Sequence, residues 1–397
     1  MESKVTQQPA LLNIIKTGLS LCIVLHMILV AHCQKSQQAS SSQPKAAIAG
    51  WTIFRGNSEL QGVAPGSISD SLQLRWSYTT GDACIGSPVT DGKLVFIGSA
   101  DKNCYALELS SGKLIWKFTA EYGFEASPLI CNDLLFIGDL GGTMHVLDKN
   151  KGTLRWSYKT DGKIVGSANC IKEKNMLIFG SHDDTLYCLD MQTGTVRWKY
   201  ASESYINGTP ATDGRVIVFG GCDENVHILN ADSGIGIGKV VTGSYIAGSI
   251  ALKDTVAFVG DYGNKLLKVD IKTQKILWEF ASTGKQEPFF ASPAVSDTFV
   301  VASSRDGFIY CVSAQTGSLI WKFATRKEVD SSPVICGNRV VVGSDDGFLY
   351  LLDLYTGKRI SLYDIGGAVA CSPLVAGKYV VVGDDNGVIS AFVGDGS

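Results

Sequence analysis

Charge is scarce in this 397-residue chain. Asp, Glu, Lys and Arg make up 18% of it, and 35 cations against 38 acids leave a net charge of −3. No basic stripe is available to neutralise a phosphate backbone, which excludes a nucleic-acid partner. No segment of 12 or more residues repeats its apolar positions with a helical period. Gly-x-Ser-x-Gly, Cys-x-x-Cys and His-Glu-x-x-His are all absent, and with them the usual signals of a hydrolase elbow, a redox dithiol or a zinc protease. Histidine is rare, with five in all. His26 and His32 lie near the N-terminus, while His145, His182 and His227 are spread through the chain. His145 and His227 fall at equivalent places of the repeat described below, which reads as packing rather than ligation. Acidic turns such as "SDDG" and "GDDNG" read as hairpin tips, not as calcium loops.

Glycine is abundant, at 44 residues, and it punctuates a repeat. "SGKLIWKF" (111–118) returns almost unchanged as "TGSLIWKF" (316–323), with "KGTLRWSY" (151–158) and "TGTVRWKY" (193–200) between them. Aligned on the tryptophan, the positions are Trp76, Trp116, Trp156, Trp198, Gly238, Trp278, Trp321 and Ser361, at spacings of 40, 40, 42, 40, 40, 43 and 40. A small-Ser/Thr-Pro element keeps the same register, from "GSPV" (86) through "GTPA" (208) to "CSPL" (371), and a Gly-polar turn follows an apolar run in each unit. Short runs rich in Val, Ile, Phe, Tyr and Leu lie between these markers and have strand length. Four short strands repeated every 40-odd residues make a propeller blade, and eight units make eight blades. The chain enters with a lone tryptophan strand, "LQLRWSY" (72–78), and leaves with a unit lacking one. The expected fold is therefore all-β: an eight-bladed propeller of four-stranded antiparallel blades, closed by an N-terminal strand that completes the last blade.

The N-terminal region stands outside this pattern. Lys4 and Lys16 precede the apolar run "TGLSLCIVLHMILVA" (17–31), which suits a signal-peptide core and is short for a membrane span. "VAHC" (30–33) resembles a bacterial lipoprotein cleavage site with Cys33 as the lipidated residue, although His32 stands where a smaller residue is usual. An ordinary signal peptide or an uncleaved anchor are the alternatives. The expected organisation is a leader at 1–33, a flexible Ser/Gln tether at 34–49, a lead-in at 50–71 and the propeller at 72–397.

Stretches such as "ALELSSGKLIW" (106–116), "CLDMQTGTVRW" (188–198) and "CVSAQTGSLIW" (311–321) resemble the tryptophan-docking motif of the pyrroloquinoline-quinone (PQQ) β-propeller family. "GWTIFRGNSELQGVAPG" (50–66) is similar to the lead-in of its secreted members. The resemblance implies that Trp76, Trp116, Trp156, Trp198, Trp278 and Trp321 lock one blade to the next. It also implies that the seams at Gly238 and Ser361 are the weakest. The quinoprotein dehydrogenases of that family carry an adjacent Cys-Cys pair, calcium ligands and a catalytic Asp on long inserted loops. No Cys-Cys pair occurs here and the units are short, so no cofactor, metal or catalytic residue is expected.

Nine cysteines fall in the repeat region, an odd number, mostly at repeat-equivalent places. They read as small buried apolar thiols. Cys84 and Cys371 are the one pair that the register brings to neighbouring blades, with an offset too large for an easy disulfide.

The architecture is similar to the lipoprotein propeller of the outer-membrane β-barrel assembly machinery. That implies an exported, monomeric, non-enzymatic scaffold for protein partners in the bacterial envelope, meeting a membrane only through its N-terminus. A quinone-binding redox protein and a carbohydrate- or envelope-polymer-binding module are the alternatives. The expected contact residues lie in the loops between each tryptophan strand and the next Ser-Pro strand: Tyr122, Phe124, Tyr205, Tyr245, Phe289, Phe290, Arg326 and Lys327. Loop 281–292 is the longest of these.

Overall fold

Eight sheets are arranged in a ring, one for each sequence unit, in the computed structural model, which describes residues 48 and 50–394. The leader and tether expected at 1–33 and 34–49, with Cys33, lie outside the described residues apart from Ile48. Blade 1 comprises Val89–Thr90, Leu94–Gly98, Asn103–Glu108 and Leu114–Thr119, paired antiparallel in that order from axis to rim. Blades 2 to 7 repeat the scheme. Blade 8 takes three strands from the C-terminal unit and its outermost strand, Leu72–Thr79, from the N-terminal side. Helix among the described residues is confined to one short turn, Lys172–Lys174, and no helix there is long and apolar enough to cross a membrane.

The burial of each strand follows its radius. Middle strands such as Leu134–Gly138 and Arg339–Gly343 are buried after their first residue, because a neighbouring blade covers each face. Outermost strands alternate, as in Leu114–Thr119, where Trp116 is turned in and Lys117 out. Innermost strands must converge on the axis, where only small residues fit. There the Ser/Thr of each unit does something the sequence pattern did not announce. The backbone N–H of Ser87 donates to the Ser127 hydroxyl, Ser127 to Ser167, Ser167 to Thr209, Thr209 to Ser249, Ser249 to Ser292, Ser292 to Ser332, Ser332 to Ser372, and Ser372 back to Ser87, all at 2.8–3.2 Å. Eight blades are thus stitched into a closed belt around the axis. The backbone donors of otherwise unpaired inner edges are satisfied by it.

A second belt runs farther out and is made of tryptophan. Each indole lies on the turn glycine of the next blade, where a Cβ would come within 2.5–2.8 Å of a ring atom: Trp76 on Gly112, Trp116 on Gly152, Trp156 on Gly194, Trp198 on Gly234, Trp278 on Gly317 and Trp321 on Gly357. The indole N–H donates at 2.7–3.3 Å to a carbonyl of the same turn, from Leu109 for Trp76 to Leu354 for Trp321. The turn needs glycine for its positive φ as well as for the close approach of the ring.

The lead-in closes one end of the channel. Trp51 bridges to Thr90 of blade 1, and the carbonyls of Thr52, Ser58, Glu59, Gln61 and Gly62 accept from Ile130, Thr212, Leu252, Val295 and Ile335 in turn. Val63–Ala64 then adds parallel to the innermost strand of blade 7. Arg55, fully buried, donates to the Pro333 carbonyl at 2.5 Å, and burial pushes its guanidinium down to about 9.

Candidate functional site

The axial cavity is open at the face opposite this floor. It measures about 350 Å³ and is lined by the hydroxyl belt, by Phe54 from the lead-in, and by one residue per blade just before each small-Ser/Thr element. In blade order those residues are Ile85, Glu125, Val165, Asn207, Ala247, Phe290, Asp330 and Ala370. Phe290 carries the Arg305 guanidinium 4.0 Å over its ring, and Arg305 forms a two-pronged ion pair with Asp330 at 2.7 Å. Opposite, His182 stacks on Tyr205 with centroids 4.9 Å apart and shares a 2.6 Å hydrogen bond with Asn207.

Beside the cavity, between the rims of blades 6 and 7, lies a polar recess of about 560 Å³. Lys285 and Glu287 come to it from loop 281–292, and Arg326, Lys327 and Glu328 from the following loop. Arg305 and Asp345 form its wall. Burial, then the charges of Asp330 and Glu328, push the Asp345 carboxyl up to about 6, and its Oδ1 is buried without a hydrogen-bond partner among the described residues. The folded chain therefore holds a proton between about pH 4 and 6 that the unfolded chain has lost, so this group lowers stability as pH rises through that window. Asp345→Asn is expected to be more stable than the parent at pH 7.5 by about 1 kcal/mol, the exposed half of the side chain being screened by water. At pH 4 the two should melt together. An equal gain at both pH values would show that the carboxylate charge is not the cause.

The loop residues singled out in the sequence divide into two groups. Tyr122, Tyr205 and Tyr245 are exposed on the rim, at 46%, 52% and 54%. Arg326 and Lys327 are exposed in the charged recess, and Phe290 is half-buried at the cavity wall. Aromatic residues thus occupy the arc of blades 1 to 5 and charges that of blades 6 and 7. Phe124 and Phe289 do not belong to this surface. Both are fully buried, each seated on a glycine of the neighbouring middle strand, Gly98 and Gly260, where no Cβ would fit. Cys84, Ile164, Ile206, Ile246, Val329 and Val369 hold the same position in the other blades, so it is a core plug between blades. The invariably apolar character of that loop position was a signal available in the sequence.

His145 and His227 are core residues, His145 with its Nδ1 buried and unpartnered among the described residues. Each bonds an aspartate of its own turn, Asp139 at 2.7 Å and Asp223 at 2.9 Å, as Tyr105, Tyr187, Tyr310 and Tyr350 do in their blades. No group of three His, Cys, Asp or Glu side chains among the described residues is gathered to hold a metal. The nine cysteines of the repeat region are free thiols. Cys84 and Cys371 both touch Gly383, Cys84 as the plug above it and Cys371 through its sulfur, which accepts from the Gly383 N–H at 3.0 Å. The thiols that face each other are another pair, Cys131 and Cys170 of blades 2 and 3. The interaction between the two draws the Cys131 thiol down and pushes Cys170 up.

These features define an eight-bladed propeller with tryptophan-docked blades and a blind axial funnel. The family model described as outer membrane protein assembly factor BamB matches residues 69–200, 170–237, 222–308 and 305–397, and the chain belongs to that family of PQQ-like propellers. Among solved structures, BamB from Moraxella catarrhalis is similar with a TM-score of 0.71 and 20% identity, covering 82% of this chain and 99% of that one. A quinohemoprotein alcohol dehydrogenase from Comamonas testosteroni is similar with a TM-score of 0.75 and 13% identity, covering 91% and 83%. A europium-containing methanol dehydrogenase gives 0.73 and 14%, covering 87% and 98%. At these identities the likeness is one of fold. No match is found among curated proteins. The quinone that names the fold family is a tricarboxylate, and the described residues lining the axial cavity include Glu125 and Asp330 but neither Lys nor Arg. This lining does not fit that group.

Proposed function

We propose that the protein is a non-enzymatic scaffold of the bacterial cell envelope that binds partner proteins through the open rim of its funnel. The observation that carries this reading is the rim itself. Exposed Tyr122, Tyr205 and Tyr245 stand on one arc, and exposed Arg326 and Lys327 on the other, above a cavity whose floor is sealed by the lead-in. Exposed aromatics beside arginine are the composition of a protein-binding surface. Membership of the BamB family supports an envelope role, and a part in outer-membrane protein assembly is the specific form we favour.

The test is capture of envelope proteins by the purified chain and by a variant carrying Arg326→Glu and Lys327→Glu. Both side chains are exposed, so melting should be unchanged, whereas recovery of the specific partner should fall by about tenfold, the effect of losing one strong rim contact. A partner retained equally by the variant and by Tyr205→Ala and Tyr245→Ala would place binding elsewhere. Turnover of an alcohol with a quinone present would overturn the non-enzymatic reading.

A further inference from the structure

Two of the eight seams lack the docking indole, and they are built differently. Between blades 7 and 8, Ser361 stands in its place and donates to the Asp70 carbonyl, while Tyr363 accepts from the Leu72 N–H at 2.7 Å and Arg339 pairs with Asp70 at 2.6 Å. The chain covers that seam with its own lead-in. Between blades 4 and 5 no comparable segment arrives among the described residues. Gly238 stands where the indole would be, the turn glycine of the next blade is replaced by Gln274, and a cleft of about 390 Å³ remains. Its apolar walls are Ile228, Ile237 and Ile271. The Ile271 carbonyl holds the register position that accepts the indole N–H at the six occupied seams, and among the described residues no such donor reaches it. Gln274 lies across Gly238 as a solvent-exposed flap, tied by one 3.2 Å bond from its amide to the Ile237 carbonyl.

We infer that the seam between blades 4 and 5 is a receptor for a tryptophan side chain presented by a polypeptide partner. The occupant is argued from the molecule itself. Six times over, this geometry is filled by an indole that packs flat and donates its N–H to the equivalent carbonyl. The seventh cleft keeps the aliphatic walls and the acceptor; with Gln274 in place of the turn glycine, a ring entering it would lie farther out than at the other seams and would displace the Gln274 amide from over Gly238. An aromatic ring buries a large area at low entropic cost, and the N–H gives it orientation. The strand beside the cleft suits an extended partner as well. Ile235 and Val241 are 65% and 68% exposed, whereas blade 1 has Lys113 and Thr119 at those places and blade 2 has Thr153 and Lys159. The inference rests on the scaffold reading above and adds a second contact site to it.

The test uses N-acetyl-tryptophanamide as the probe, followed by amide NMR on the full chain. Saturable binding is expected, roughly millimolar as befits a single small anchor, with shifts centred on Ile228, Ile237 and Ile271. The 1-methylindole analogue, which has no N–H, should bind about fivefold more weakly. Gly238→Trp with Gln274→Gly restores the repeat, and it should raise the melting temperature and weaken probe binding at least tenfold. Ile237→Asp, at an exposed position, should weaken binding without changing the melt, which covers the case of a double variant that does not fold. Absence of saturable binding, shifts confined to the funnel, or undiminished binding by these variants would overturn the inference. The scaffold reading stands or falls separately, on the Arg326 and Lys327 variant.

Discussion

Replacing Leu72–Thr79 by a Gly/Ser stretch of equal length is expected to abolish cooperative unfolding and drive the chain into larger assemblies than the parent forms. This strand pairs with the last strand of the chain from Leu72 opposite Gly394 to Thr79 opposite Val388. Without it, the edge of Val388–Gly394 is left open, a long and mostly apolar template for pairing with another chain. The loss reaches two radii. At the rim, Trp76 no longer lies on Gly112 or donates to the Leu109 carbonyl at 2.9 Å. Nearer the axis, the bond from Ser372 to Ser87 and the Cys84 plug on Gly383 are left to hold the two blades without the indole outside them. The missing stabilisation is several kcal/mol at least, comparable with the whole margin of an ordinary domain. Size-exclusion chromatography with a urea melt decides it: a species of the parent's size with an unchanged midpoint would show that the ring does not depend on this closure.

Trp321→Ala is expected to cost about 3–5 kcal/mol, the range for truncating a buried aromatic. Trp321 is 7% exposed, and it donates to the Leu354 carbonyl at 2.7 Å while covering Gly357. Removal leaves a cavity at the seam and strips the turn of its donor. Gly357→Ala attacks the same contact from the other side. Its φ is +67°, which a side chain tolerates poorly, and the new methyl would meet the indole at 2.6 Å, so a loss of about 2–4 kcal/mol follows. Because both changes break one contact, the double variant should lose much less than the sum of the single losses. Additive losses in urea unfolding would mean that the ring and the glycine do not form a unit. Ser361→Ala, at a seam without an indole, serves as the comparison and should cost no more than about 1.5 kcal/mol, the range of one hydrogen bond.

Phe124 and Phe289 show where linear reading misplaces a residue. Both stand in polar loops between strands, among Glu121, Tyr122, Lys285 and Glu287, and a loop aromatic in such company reads as a surface contact. Their burial is decided by Gly98 and Gly260, which belong to the adjoining blade and open the space that each ring fills. Arg326 and Lys327 come from the same kind of loop and do reach the surface, because their charges have no buried partner to go to.

By itself, the sequence determined the number of blades, the identity of the docking tryptophans and the means of closure. Each of these is written as a short motif at a fixed period: Trp three or four residues after a turn, Ser/Thr before an inner strand, a lone strand at one end and a missing one at the other. Short-range geometry is enough to specify such features, because a strand's turns and faces depend on its own residues. Tertiary structure alone decided which residues meet across the seams. The belt of hydroxyls, the facing of Cys131 and Cys170, the lead-in as a floor and the seam without an indole beside Ile271 all join residues that lie in different blades or outside the repeat. Their contacts arise from the curvature of the closed ring and the radius at which each strand lies, and no local stretch of the chain encodes either.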